Sequence, residues 1–194
     1  MSDLRRGFKT WCENAARGYR RELGLKSVDA LDPRRLASYL NVKVWIPADV
    51  PGVPAKALRQ LTEVDPSSWS AVTVCIGTSS LIITNNRHSL ERQNNSIMHE
   101  LSHLVLKHKP AQAFVLNTGE MMINNYDKMQ EQEADCLSGT LLVPREALLF
   151  ILQKNPDQHL AASHFKVTDD VLRMRLNLTG VGKQLASRQR FRSA

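Results

Sequence analysis

The chain has 194 residues, of which 42% are hydrophobic and 23% are charged, a composition typical of a globular protein rather than a disordered or fibrous one. No apolar run approaches the roughly 18 residues that a membrane-spanning helix needs, and the first residues lack the apolar core of a signal peptide. Three scattered cysteines argue against a disulfide framework. We therefore expect a cytoplasmic protein in which Cys12, Cys75 and Cys136 are small buried side chains.

The net charge of +7 is concentrated near the two ends of the chain, within residues 5–21 and 173–192. Basic ends can attract DNA weakly and without sequence specificity, but solvated helix faces and a basic tail explain them equally well. No zinc-finger spacing or aromatic platform supports specific nucleic-acid recognition. The sequence predicts one domain over residues 1–182 and a disordered tail over residues 183–194.

The first half of the chain predicts helices followed by a small sheet. Helical spacing of apolar residues over 4–23 predicts a first helix, and a cap followed by Pro predicts a second over 32–39. Alternating apolar residues predict a strand over 42–46, and a short helix is expected near 56–62. Two β-rich runs, joined by residues 77–80, predict a hairpin within 71–84.

A further helix is predicted around the H-E-x-x-H pentapeptide at residues 99–103, because neither Pro nor Gly interrupts the surrounding sequence. His99 and His103 are one turn apart, so their Cβ atoms lie about 5–6 Å apart on one face. Two imidazoles placed in this way can bind one metal ion with bonds of about 2 Å. Glu100 lies about 100° round the helix and is expected to act as a base on a metal-bound water.

A catalytic zinc ion usually has three protein ligands, and the third is predicted on the next helix, over residues 127–142. On that helix Glu131 is the candidate ligand, and Asp135, one turn on, can accept the free N–H of a ligating His. Glu133 lies about 200° from Glu131 and should face elsewhere. His108 is out of phase with the pentapeptide and is expected to point away. The alternative for the three acids is a solvated face.

The remaining segments complete an α+β pattern. Residues 109–126 are expected to be irregular and to form a lip over the site. Two or three short helices should follow Pro144, and residues 160–176 have spacing like that of a helix-turn-helix. We expect these helices to pack on the core through their apolar side chains: Phe165, Val167, Val171, Leu172 and Leu176.

Two runs, HELSHLVLKH and EQEADCLSGTLLVPREAL, together resemble the ImmA/IrrE family of bacterial metallopeptidases. The second run follows the family pattern E-x-x-A-[ND] leading to L-L-x-P. The matching residues are Glu131, Ala134, Asp135, Leu141, Leu142 and Pro144. The residues that depart from the pattern concern helix packing rather than ligands: Ser102, Cys136, Leu137 and Gly139.

The resemblance implies a zincin-like core in which the substrate lies along a sheet edge beside the metal helix. It also implies a regulatory protease that cuts a helix-turn-helix repressor and so induces phage, mobile-element or stress genes. Because the first hundred residues contain no convincing helix-turn-helix, the repressor is expected to be a separate chain.

The sequence therefore predicts peptide hydrolysis with zinc held by His99, His103 and Glu131, and with Glu100 as the base. Mn²⁺ or Fe²⁺ can also occupy a site of two His and one Glu. A donor to the developing oxyanion is usual in such enzymes. Three residues are candidates for that role: Tyr126, His88 and His164.

Two other functions compete with this prediction. The first is a DNA-binding regulator, in which Arg173 and Arg175 would lie on the second helix of the helix-turn-helix-like segment. The second is a catalytically silent adaptor that uses its metal only for structure. The presence of Glu100 argues against the adaptor, because a structural zinc needs no base.

Overall fold

The computed structural model describes residues 4–76, 79–109, 112–115, 121–124 and 127–192, and its fold is α+β, as the sequence predicts. The strands are β1 (Lys43–Trp45), β2 (Ala71–Ile76), β3 (Ser79–Thr84), β4 (Gln112–Val115) and β5 (Met121–Asn124). The α-helices are α1 (Phe8–Glu22), α2 (Pro33–Tyr39), α3 (Ala55–Arg59), α4 (Leu90–Leu106), α5 (Lys128–Leu142), α6 (Arg145–Lys154), α7 (Gln158–Phe165), α8 (Asp169–Thr179) and α9 (Val181–Arg192). None of these helices combines the length and the apolar character that crossing a membrane requires.

The first two helices begin and end where local backbone chemistry favours it. Gly7 has φ of 83°, a left-handed conformation that suits glycine, so α1 begins after it rather than at the start of the apolar spacing. Gly24, with φ of 65°, follows the helix end as predicted. The side chain of Asp32 caps α2 by accepting a hydrogen bond of 2.8 Å from the Arg34 N–H.

A three-stranded sheet with the order β1-β3-β2 lies beside α4. In the centre of the sheet, Ile82 of β3 pairs in parallel with Val44 of β1 and antiparallel with Thr73 of β2. The antiparallel pair is the predicted hairpin, and its connection at residues 77–78 lies outside the described residues. β2 is an edge strand of this sheet, so one side of its backbone has no partner among the described strands.

The core lies where α4 and α5 pack against each other and against α1, the sheet and the C-terminal helices. Both central helices bury most of one face. From α4 these buried residues are Ile97, Met98 and Leu101, and from α5 they are Ala134, Leu137, Leu141 and Leu142. The C-terminal helices pack on this core, as predicted, with Phe165, Val167, Leu172 and Leu176 buried.

Two buried arginines bind the carbonyl groups at the C-terminal end of α5. Arg20 of α1 donates to the Leu141 and Leu142 carbonyls at 2.8 and 3.4 Å, and Arg175 of α8 donates to the Val143 carbonyl at 2.9 Å. The last carbonyls of a helix have no partner within the helix, and positive charge is favourable at this end of the helix dipole. The two contacts therefore fix the end of α5 to two other helices.

Two segments differ from the structure that the sequence predicts. Residues 109–126 were expected to be irregular, but β4 and β5 pair antiparallel within them, with Phe114 opposite Met122. Each strand has only four residues, which is too short a run to give a clear alternating pattern. The residues between and around these strands lie outside the described ranges. The prediction that this segment forms a lip over the site depends on those residues and stays a prediction.

The C-terminal end also differs from the expectation. A disordered tail was predicted over 183–194, whereas α9 extends through Arg192. Val181 is buried and Leu185 packs against the core. Two apolar residues in a largely basic segment give no clear helical pattern, so the sequence does not predict this helix. Four helices therefore follow Pro144 rather than two or three. Cys75 is exposed, although Cys12 and Cys136 are buried as expected; all three are free.

Replacement of Arg175 by Ala should lower the free energy of unfolding by about 3 kcal/mol, because it removes the charged partner of the partly buried Glu13 carboxylate and the donor to the Val143 carbonyl. The Arg175 side chain is 3% exposed and lies 2.6 Å from Glu13. Arg173 on the same helix is the matched control: its side chain is 66% exposed and pairs with Asp170, so Arg173→Ala should cost less than about 1 kcal/mol. Urea unfolding measures both values, and equal losses would contradict this account of the α5 end.

Candidate metal centre

Three side chains from α4 and α5 converge at the contact between the two helices. The Nε2 atoms of His99 and His103 lie 3.0 Å apart. The carboxylate of Glu131 lies 3.1 Å from the Nε2 atom of His99 and 3.5 Å from that of His103. Among the described residues, this trio is a group whose ligand atoms all lie within 4.8 Å of one another.

The spacing of these atoms fits a tetrahedral metal ion. Zinc binds imidazole nitrogen and carboxylate oxygen at about 2.0–2.1 Å, and tetrahedral angles then separate neighbouring ligand atoms by about 3.3 Å. The distances among His99, His103 and Glu131 are 3.0, 3.1 and 3.5 Å. Two neutral imidazoles and one carboxylate are also a donor set that suits zinc, so the residues present fit the predicted metal.

Asp135 lies against the side of the His99 ring that faces away from the trio. Its Oδ1 atom is 3.1 Å from the Nδ1 atom of His99. An Nδ1–H donated to this carboxylate leaves the Nε2 lone pair of His99 directed to the shared point. Glu131 and Asp135 lie one turn apart on one face of α5. As a result, Glu131 lies near the Nε2 atom of His99 and Asp135 lies near its Nδ1 atom.

His108 contacts the other histidine, which corrects the expectation that it points away. Its Nδ1 atom lies 3.0 Å from the Nδ1 atom of His103, and its Nε2 atom lies 3.2 Å from Glu133. The prediction was wrong because it extended the helix through residue 108. α4 ends at Leu106, and Lys107 takes a left-handed conformation with φ of 55°, which turns the chain back towards the helix.

Glu100 lies on the same turn of α4 and is held by the neighbouring edge strand. The hydroxyl of Thr73, in β2, donates a hydrogen bond to the Glu100 carboxylate. Helical spacing predicts where Glu100 points, but nothing in the sequence identifies Thr73 as its partner. That contact depends on the register of β2 against α4.

The two histidines of the trio differ in their affinity for protons. Burial lowers the pKa of His99, but the hydrogen bond and charge of Asp135, with the charges of Glu100 and Glu131, raise it above its ordinary value. Burial and the charge of His99 lower the pKa of His103. A metal ion must therefore compete with a bound proton more strongly at His99 than at His103.

A cavity of about 350 Å³ opens beside His99 and Glu100. Its apolar wall is formed by Leu142, Val171 and Met174, which come from α5 and α8. This cavity gives the site room for an apolar side chain next to the trio.

Neither of the two candidate oxyanion donors that the structure describes, His88 and His164, is brought to the site. His88 precedes α4 and is about 13 Å or more from His99 along the helix axis, at 1.5 Å per residue. His164, on α7, binds the Val28 carbonyl at 2.8 Å and does not line the cavity. Tyr126 lies outside the described residues.

Replacement of Asp135 by Ala should weaken zinc binding about 10–100-fold, because the Nδ1–H of His99 loses its acceptor and the ring loses its fixed orientation. Competition with a chromophoric chelator measures the dissociation constant. Asp170→Ala is the control, since that carboxylate is on α8 and pairs with the exposed Arg173. Equal zinc affinity in the two variants would show that Asp135 does not support His99.

A comparison with protein-family models found a match to Peptidase_M78, described as the IrrE N-terminal-like domain, over residues 60–177. This span is more than half of the chain and contains α4, α5 and the edge strand β2. It confirms the family resemblance that the two sequence runs indicated. Searches of the curated proteins and of the solved structures found no match.

Proposed function

This chain belongs to the peptidase family of IrrE N-terminal-like domains, and we propose that it is a zinc-dependent endopeptidase that cuts a helix-turn-helix repressor encoded as a separate chain. The observation that carries the proposal is the convergence of His99, His103 and Glu131 within 4.8 Å, with Glu100 on the same turn of α4. A structural metal site would need the ligands but not the additional carboxylate.

His99, His103 and Glu131 would hold the zinc ion, and Mn²⁺ or Fe²⁺ would suit the same donors. When bound, such an ion supplies Lewis-acid polarisation of the scissile carbonyl and lowers the pKa of a water molecule towards neutrality. With three protein ligands, a tetrahedral site keeps one position for water or substrate.

Glu100 is the residue placed to move the proton. Its carboxylate would take a proton from the attacking water and return it to the leaving amine. The hydrogen bond from Thr73 fixes one carboxylate oxygen, so the other oxygen is left for this exchange. Thr73 thus positions the base and ties it to the strand along which a substrate would lie.

The edge of β2 and the cavity beside the trio offer a path for an extended peptide. A peptide that pairs with the outer edge of β2, which no described strand occupies, would add a strand to the sheet and pass close to Glu100, since Thr73 of that strand contacts it. The cavity walled by Leu142 and Met174 would then receive one side chain of the peptide.

The repressor as substrate rests on the family resemblance of the two sequence runs. A repressor bound to DNA would place the reaction in the cytoplasm. The basic residues at the two ends of the chain would add weak, non-specific attraction to the same DNA.

The competing DNA-binding function has less support from the structure. It needs Arg173 and Arg175 on an exposed recognition helix. Arg175 is instead buried and binds the Val143 carbonyl and Glu13. Val171 and Met174 of the same helix line the cavity beside His99, so of the two arginines only Arg173 lies on the exposed face of α8.

Replacement of Glu100 by Gln should preserve zinc binding and reduce cleavage by about 10²–10⁴-fold, the usual contribution of a general base. The matched control is Glu91→Gln, the same change in the first turn of α4. Cells that express each form would be compared by sequencing of newly formed protein N-termini. We expect new termini within helix-turn-helix repressors for wild type and Glu91→Gln but not for Glu100→Gln.

Two outcomes would contradict the proposal. Cleavage by the Glu100→Gln variant at the wild-type rate would remove Glu100 from the mechanism. New termini in other proteins but not in repressors would keep the peptidase and exclude the proposed substrate.

A further inference from the structure

We propose that His108, Glu133 and Arg5 form a support chain that positions His103 for metal binding. The contacts run in one line: Nδ1 of His108 lies 3.0 Å from Nδ1 of His103, Nε2 of His108 lies 3.2 Å from Glu133, and Arg5 lies 3.3 Å from the other oxygen of Glu133. None of the three support residues belongs to the trio itself. The inference rests on the proposed metal site but not on the nature of the substrate.

The hydrogen atoms along this line can be placed in one consistent way. A metal-binding Nε2 atom of His103 must carry a lone pair, so the hydrogen of that ring is on Nδ1. This Nδ1–H can donate only to a lone pair on Nδ1 of His108, which places the hydrogen of the second ring on its own Nε2. That N–H then donates to the Glu133 carboxylate. The Nδ1–H of His103 and the Nε2–H of His108 then each meet an acceptor.

The local backbone is built to hold His108 in this place. Lys107 adopts a left-handed conformation with φ of 55°, which is uncommon for a residue with a side chain. The His108 N–H donates to the His103 carbonyl at 3.0 Å. The unusual turn therefore returns the chain so that the two histidine rings meet, with centroids 5.0 Å apart.

Burial makes the support chain more than a surface contact. The side chains of His108 and Glu133 are only 7% and 14% exposed. A carboxylate with so little access to water is costly unless it is paired, and Glu133 is paired with both His108 and Arg5. Removal of His108 would leave the Nδ1–H of His103 and one oxygen of Glu133 without the partner that they have among the described residues.

The two histidine ligands are thus supported in different ways. His99 donates directly to Asp135, whose side chain is 61% exposed. His103 contacts the imidazole of His108, which in turn contacts the largely buried carboxylate of Glu133. The contacts through His108 and Glu133 are more buried and so hold the His103 ring more rigidly. Arg5, the last residue of the support chain, lies just before α1. The support chain therefore connects the N-terminal segment with the metal centre.

Replacement of His108 by Asn and by Gln separates positioning from simple packing. The Oδ1 atom of Asn lies where Nδ1 of His would be, so Asn keeps an acceptor for His103. Gln instead places its amide near the position of Nε2, so it can still contact Glu133 but offers His103 no acceptor. We expect His108→Asn, which keeps an acceptor for His103 but loses the contact to Glu133, to bind zinc more weakly than wild type but more tightly than the other two variants. His108→Gln and His108→Ala should bind zinc about 10–100-fold more weakly than wild type.

The zinc dissociation constant, from chelator competition, would be measured together with the thermal unfolding of each metal-free variant. His159→Ala is the matched control, because His159 also pairs with a carboxylate, Asp169 at 3.2 Å, but on the exposed surface. A role in packing alone would make zinc affinity follow the unfolding temperature and would not rank Asn above Gln. Glu133→Ala should add little to the loss in His108→Ala, because both belong to one line of contacts.

Three results would overturn the support chain. The first is zinc binding by His108→Ala within twofold of wild type, and the second is equal affinity of the Asn and Gln variants. The third is a wild-type protein that binds no zinc, which would remove the metal site as well. A zinc-binding protein with the expected ranking but no peptidase activity would instead uphold the support chain and contradict the proposed function.

Discussion

The packing of α4 against α5 is the interaction on which the rest of the site depends. It brings two imidazole nitrogens and a carboxylate within 3.0–3.5 Å of one another, an arrangement of electron-rich atoms that a cation stabilises. The surrounding contacts act on the same two helices. Arg20 and Arg175 fix the C-terminal end of α5, while Asn94 of α4 donates to the Lys166 carbonyl in the turn between α7 and α8. The fold therefore restrains both helices at points away from the trio.

The surroundings of the trio are asymmetric, because different side chains contact it on its two sides. One side faces the cavity and the edge strand, and there Glu100 is held by Thr73 and His99 by Asp135. The other side faces the protein interior, where His108 contacts His103 and Glu133 in turn contacts His108. The Glu100 carboxylate thus lies on the more open side, and the more buried contacts lie on the opposite side of the trio. Such a division suits a site that must admit a peptide while its ligands keep their geometry.

Helical spacing predicts the parts of the site that lie within one regular element. His99 and His103 share a face because they are four residues apart, and the same spacing places Asp135 one turn after Glu131. Helical spacing does not predict contacts that form beyond the end of a helix or between separate elements. His108 meets His103 only because Lys107 takes a left-handed conformation, and Thr73 meets Glu100 only through the packing of a strand on a helix. The helix α9 was missed because its apolar contacts are few within a basic sequence. Long-range contacts and irregular turns are what the sequence alone does not reveal.

The most direct test of the account is the metal content per chain, measured by elemental mass spectrometry on wild type, Glu131→Ala and Glu146→Ala prepared side by side. Glu146 is an exposed acid on α6 and serves as the control. The account predicts about one zinc ion per chain in wild type and in Glu146→Ala, and a clear loss in Glu131→Ala. Wild type without metal after incubation with zinc, or zinc retained fully by Glu131→Ala, would contradict the assignment of the three ligands.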